Sequence, residues 1–278
     1  MNRSYAYGLA ILVGLLANCA SATERVPRFQ KVVYIVLENT TVDAALANPI
    51  LKNFADQSVY FANFMAETHP SQGNYVAMIS GSTLGVTGDG IVNLSEQHLG
   101  DLLENKGKTW KTYAEDFPGN CFAGARSGKY VRKHVPFMSF TNVTNNPTRC
   151  GSIVDLTQFQ SDWNHGKLSN FNLIVPNMEN DGHDTGVDVA ADWVNSNIVP
   201  MLKDPVAMKD TVVILTFDEA SFFGKNQVYT AVFSPNLPMK KVVNETVNHV
   251  SLLKWIEDEW SLGNLGREDA SASAIPNF

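Results

Sequence analysis

The chain has 278 residues, with 28 acidic and 21 basic side chains and a formal net charge of −7. That length is enough for one large α/β domain with a substantial core. The acidic balance argues against a nucleic-acid-binding surface and against docking on an anionic membrane.

The first residues read as a processing signal. Asn2-Arg3 is a short basic start, residues 7–17 are apolar but too short to span a bilayer comfortably, and Ala20-Ser21-Ala22 has the small-x-small form of a cleavage site. Cleavage after Ala22 would release a secreted single domain over 23–278 with a net charge of −8, because the removed segment holds Arg3 and no acid. The alternatives are a membrane anchor and a lipoprotein site at Cys19, which Asn18 disfavours. No later segment is long and apolar enough to span a membrane, so no stable anchor is expected. Two cysteines remain in the mature chain, Cys121 and Cys150, and an oxidising compartment favours their pairing. Asn93, Asn142 and Asn244 open Asn-x-Ser/Thr triplets, as does Asn39.

Strand and helix patterns alternate along the chain, which predicts a mostly parallel sheet. A strand over 32–37 leads to a helix over 43–57. Residues 59–64 are extended. Ser71 opens a helix reaching about residue 79. Another helix covers 97–106, and 109–114 is strand-like. From 115 to 151 the chain is rich in Gly, Pro, Asn and basic residues, a long excursion of the functional kind. A strand over 171–175, an amphipathic helix over 188–202, strands over 211–217 and 228–233, and a helix over 248–260 complete the order.

Two segments are nearly alike: VVYIVLEN at 32–39 and VVILTFDE at 212–219. Each reads as a buried parallel strand ending in oxygen-bearing side chains. Ligands in open α/β sheets bind beyond the carboxyl ends of strands. Glu38, Asn39, Asp218 and Glu219 would meet there and repel one another unless a cation lay between them. Carboxylates and an amide suit one divalent ion, calcium, magnesium or manganese, while nearby histidines leave zinc or iron open.

Ser71, after Pro70, stands where a helix start offers free N–H groups and a positive dipole end. It is a nucleophile candidate or a plain helix cap. His183 and Asp184 lie in the polar stretch that follows the strand over 171–175. His249 heads the last helix. Arg132, Lys133 and His134 could face an anion or form a solvated turn.

In combination, THPSQGNY, MISGS, YVRKH-PF, PNMENDGHDT, LTFDE and NH-SLL resemble, in order, the metal-dependent phosphoesterases that include fungal secreted acid phosphatases, bacterial acid phosphatases and phospholipases C. The resemblance runs from about residue 32 to 269. It implies an alkaline-phosphatase-like α/β fold, a central mostly parallel sheet flanked by helices with the metal at the strand ends. It implies that Glu38, Asn39, Asp218 and Glu219 bind the metal, with Ser71 as both nucleophile and coordinating oxygen. Asn74 would touch the phosphate, His134 and Asp184 would bind substrate, and His183 and His249 would hold phosphate or donate a proton. The expected partners are small-molecule phosphate esters, cleaved through a phosphoserine. A phospholipase C-type diesterase, and a silent homologue that only binds phosphate esters, are the rivals. Gly73 stands where the family commonly has proline, and Ala220-Ser-Phe-Phe-Gly224 is more apolar than the family's usual continuation.

Overall fold

The computed structural model describes Met1, residues 27–221 and residues 224–276. The expected signal segment past Met1, its cleavage point, Cys19, Phe222 and Phe223 lie outside the described residues. Among the described residues no helix is long and apolar enough to cross a membrane.

The first apolar run forms β1 (Lys31–Leu37), buried from Val32 onward. The single helix expected over 43–57 is two helices, α1 (Val42–Ala47) and α2 (Pro49–Asp56). Asn48-Pro49 makes the break. Proline suits a first turn and not a helix interior, and Asn48 Oδ1 accepts from Ile50 N at 2.9 Å and Leu51 N at 3.3 Å. The extended stretch splits into β2 (Val59–Phe61) and β3 (Phe64–Met65). Helix α3 (Ser71–Ser80) follows the expectation. Helix α4 (Leu99–Asn105) starts later than expected because His98 is extended and caps it, accepting from Gly100 N at 3.0 Å while Asp101 accepts the His98 N–H at 2.9 Å. Strand β4 (Trp110–Ala114) is next.

The excursion is ordered by short elements. It holds a hairpin of β5 (Arg126–Ser127) and β6 (Tyr130–Val131), 3-10 turns at Arg132–His134 and Pro136–Ser139, and helices α5 (Thr141–Thr144) and α6 (Pro147–Cys150). A Cys121–Cys150 disulfide closes it. Asn142 donates to Asp101 and accepts from His98 Nε2 at 2.9 Å, so its side chain is tied into this packing, whereas Asn244 is exposed.

No sequence expectation covered β7 (Ile153–Asp155), too short for a pattern, or the mostly polar α7 (Thr157–Asn164). Strand β8 (Phe171–Val175) matches. The amphipathic stretch breaks ahead of Pro200 into α8 (Val187–Asn197) and α9 (Val199–Leu202). Then come β9 (Thr211–Phe217), β10 (Thr230–Phe233), β11 (Lys241–Val243), β12 (Val247–Asn248) and α10 (His249–Glu259).

Among the described residues the central sheet has eight strands, in the order β11-β2-β10-β9-β1-β8-β4-β7. Only β10, among the described residues, runs against its neighbours. Strands β1 and β9 lie side by side at the centre, both almost wholly buried, as their unbroken aliphatic runs require. Their register ends on the Leu37–Phe217 pair, and Asp218 N donates to Leu37 O at 2.9 Å. Glu38 and Asp218 therefore emerge together at the same end of the sheet.

Candidate active site

Glu38 and Asp218 are fully buried, and Glu219 and Ser71 are nearly so. Helix α3 brings Ser71 over the strand ends. Its Oγ lies 3.2 Å from Glu38 Oε2 and 3.3 Å from Glu219 Oε1. Pro70 precedes α3 and no side chain caps it, so the capping reading of Ser71 does not describe this site. Asn39 closes the group: its N–H donates to Asp218 Oδ1 at 3.4 Å and its Nδ2 to Glu219 Oε1 at 3.2 Å. The chain turns there with φ +21°, a conformation asparagine tolerates better than most residues.

Burial, then repulsion from Asp218 and Asp181, pushes the Glu38 carboxyl well above the usual carboxylate range. Burial, then Glu219, does the same to Asp218. Among the described residues, no group of three or more His, Cys, Asp or Glu side chains is drawn together as a metal cluster. The carboxylates instead engage Ser71, Asn39, Tyr75 and His69. Yet Asn39 Oδ1 and Asp218 Oδ2 are buried oxygens with no hydrogen-bond partner. Orphaned oxygens among repelling carboxylates are what a hard divalent cation takes. Glu38, Asn39, Ser71, Asp218 and Glu219 thus fit such an ion as a donor set.

The histidines divide. His134 is buried, with Nε2 3.0 Å from Glu38 Oε1 and Nδ1 3.6 Å from Asp181 Oδ2, but neither nitrogen makes an aligned hydrogen bond. Burial, aided by Lys133, holds its imidazole well below the ordinary value despite those carboxylates. The ring stacks on Tyr75 at 4.9 Å. It underlies Glu38, where the sequence suggested a residue facing substrate. His249 is also buried; its Nε2 is 2.8 Å from the Asp218 carbonyl, and burial lowers its pKa to about 4. A neutral ring clasping the Asp218 backbone differs from the expected proton donor. His183 is exposed, with Nδ1 2.7 Å from Asp184 Oδ1. The loop that carries it touches the centre through Asp181, whose carbonyl accepts from Glu38 N at 2.9 Å and whose Oδ1 accepts from His183 N at 2.8 Å.

Asn74 is fully buried, and its amide is committed elsewhere than expected. Its Oδ1 accepts from Glu67 N at 3.0 Å and Thr68 N at 2.9 Å, and its Nδ2 donates to Thr68 O at 2.9 Å. It fastens the loop before α3.

Four side chains were missed. His69 Nδ1 lies 2.6 Å from Glu219 Oε2, on the carboxylate whose other oxygen meets Ser71. Tyr75 donates to Glu38 Oε1 at 2.8 Å. Asp181 backs Glu38, and Asp89 joins Gln72 N to Lys133. Tyr75, four residues after Ser71 on α3, could have been read from helical spacing, whereas His69 stands before the helix in the same THPSQGNY stretch, where that spacing does not apply. Asp89 sits in a glycine-rich loop with no signal of its own.

A mostly parallel sheet flanked by helices, with acidic side chains at its strand ends, is an α/β fold of the alkaline-phosphatase-like kind. A protein of the alkaline phosphatase superfamily from Vibrio parahaemolyticus shares this fold at a TM-score of 0.59 and 11% identity, over 89% of this chain and 71% of that one. A sulfatase from Pseudoalteromonas sp. does so at 0.53 and 11%, over 88% and 69%. The chain belongs to the phosphoesterase family, whose model matches residues 42–263. It is 34% identical to the phosphate-repressible acid phosphatase of Penicillium chrysogenum over 89% of this chain, and 34% identical to an acid phosphatase of Aspergillus fumigatus over 89%. It spans 63% and 58% of those proteins' own lengths. It is 30% identical to the phosphatidylinositol-3-phosphatase of Mycobacterium tuberculosis, over 93% of this chain and 86% of that one.

Proposed function

We propose that this protein is a secreted acid phosphatase, a phosphoric ester hydrolase that cleaves small phosphate monoesters with Ser71 as nucleophile. The observation that carries this reading is the Ser71 hydroxyl at the uncapped start of α3, within 3.3 Å of carboxylates from both central strands. A helix start favours a phosphoryl group, and phosphoryl transfer needs chiefly positioning and charge stabilisation. The names of the fungal relatives support the monoester, and the signal-like first residues support secretion.

Ser71 Oγ attacks phosphorus in line and passes its proton to Glu38 Oε2, 3.2 Å away. That role needs Glu38 ionised, against the burial and carboxylate repulsion that push its carboxyl up, and a divalent cation beside it would favour the ionised form. The bond from phosphorus to the alcohol oxygen breaks as an imidazole, His183 beside Asp184 or His69 on Glu219, supplies the alcohol's proton. Water then attacks the phosphoserine and gives a proton to that imidazole, and Ser71 recovers its own from Glu38 as phosphate leaves. A divalent cation held by Glu38, Asn39, Asp218 and Glu219 would offset their repulsion and polarise a phosphoryl oxygen. An imidazole that must start protonated favours mildly acidic pH.

The test is hydrolysis of a chromogenic monoester, a diester and a choline phospholipid, with divalent cations supplied, by the wild type and Ser71→Ala. Monoester turnover that disappears in Ser71→Ala is the expected result. Retained turnover in the variant removes Ser71 as nucleophile. Preference for the phospholipid makes the protein a phospholipase C, and tight ester binding without turnover makes it a silent homologue.

A further inference from the structure

A cavity of about 190 Å³ opens at the start of α3, where Gln72, the residue after Ser71, lines it. Its walls include Asp89, Ile91, Ala125, Val131 and Lys133, so it joins the start of α3 to the glycine-rich loop and to the excursion. The Gln72 side chain is 2% exposed, and its carbonyl Oε1 is buried with no hydrogen-bond partner. A buried acceptor left without a donor is costly and calls for one. The charged groups beside it are already engaged: Asp89 accepts from Gln72 N at 3.2 Å and from Lys133 Nζ at 2.8 Å, and the Arg132 guanidinium, also in the wall, donates to Val92 O, Asn93 Oδ1 and Met138 O. An anion brought here would meet the Asp89 carboxylate, and a cation the Lys133 ammonium. A hydroxyl meets neither objection. It can donate to Gln72 Oε1 and accept from the ammonium, which has three donors. Ile91, Ala125 and Val131 supply apolar wall for the carbons that bear it.

We propose that this cavity is the leaving-group subsite, and that it takes the neutral, hydroxyl-bearing alcohol of a small polyol phosphate, with Gln72 Oε1 accepting from an alcohol hydroxyl. The inference rests on the phosphomonoesterase reading and adds to it a substrate class and a specificity-determining residue. It also gives the excursion a task, since Val131 and Lys133 come from it.

The experiment compares kcat/KM for glycerol 2-phosphate and for phenyl phosphate, which has no free alcohol hydroxyl, using the full chain with divalent cation present. In Gln72→Met the ratio of the two should fall about fivefold to tenfold, the loss expected for one hydrogen bond to a substrate hydroxyl. Gln72→Asn, which draws the side-chain carbonyl back by one methylene, should lower the ratio in the same direction. A ratio within about twofold of wild type in Gln72→Met overturns the proposal, because a purely structural role for Gln72 lowers both rates together. If Gln72→Met does not fold, the ratio in Gln72→Asn decides alone. Wild-type protein that turns over neither ester overturns the phosphatase reading instead. Calorimetric binding of glycerol 2-phosphate then tests the subsite: weaker binding in Gln72→Met supports it, and equal binding overturns it.

Discussion

Glu38 and Asp218 stand side by side, each one residue beyond the Leu37–Phe217 pair that ends two parallel strands. Burial and the repulsion among the grouped carboxylates push both carboxyls up, so the centre stores unfavourable charge in the absence of a cation. Asp218→Asn relieves part of it. The metal-free variant should melt about 2–4 °C higher for each kcal/mol relieved, while ester hydrolysis falls about a hundredfold or more. Scanning fluorimetry with chelator, beside a rate assay, measures both; a lower melting temperature would count against stored repulsion.

Tyr75 supports Glu38 from below. Its hydroxyl donates to Glu38 Oε1 at 2.8 Å and its ring stacks on His134 at an interplanar angle of 15°. Tyr75→Phe keeps the stack and removes the donor. Stability should fall by about 1–3 kcal/mol, because Glu38 loses a buried partner, and kcat should fall with it. Denaturant unfolding and kinetics check this, and an unchanged kcat would separate Tyr75 from the reaction.

Gly73 departs from the family's usual proline for a reason the packing supplies. A Cβ there would lie 2.5 Å from Thr68 Cγ2 and 3.0 Å from the Val86 carbonyl. Gly73→Ala gains about 1 kcal/mol of helix propensity, but the overlap should cost about 1–3 kcal/mol. It should also displace Thr68, next to His69, and so lower kcat. A variant with a higher melting temperature and full activity would show that this contact yields freely.

Two buried acids set a pH dependence of stability outside the catalytic centre. Burial raises Glu67 to about 8, against backbone donation from Val250 N at 3.1 Å. Burial, then Asp269, raises Glu257 to about 8. Both titrate near 4.5 in the unfolded chain. Between those values the folded state holds protons that the unfolded state has lost. Their contribution to stability is whole below pH 4.5 and is lost as pH rises through 8, at up to about 1.4 kcal/mol per pH unit for each group. Urea midpoints should therefore fall from pH 5 to pH 8, and Glu67→Gln should flatten the fall. Midpoints that rise over this window would contradict it.

The strand ends were legible because an aliphatic run that stops on Glu38-Asn39 or Asp218-Glu219 has only one buried geometry open to it. Ser71 was legible from Pro70 and the helix that follows. The break at Asn48-Pro49 was written in the chain too, but the apolar spacing on both sides concealed it. His134 and His249 show the limit: a histidine near a motif reads the same whether its ring faces solvent or is sealed under a carboxylate. Asn74 is similar, since an amide one turn after the nucleophile can reach forward to a ligand or back to the Thr68 backbone.

The sequence by itself determined the α/β alternation, the paired acidic strand ends and the serine at a helix start, because each is local and depends on contiguous residues. Only the tertiary structure decided which side chains converge. Glu38 meets Asp218 through strand register, His134 reaches Glu38 from a disulfide-closed excursion, and Asp89 and Lys133 meet beside Gln72. The reason is physical: register, burial and hydrogen-bond direction are properties of neighbours in space, and most of these neighbours are far apart in the chain.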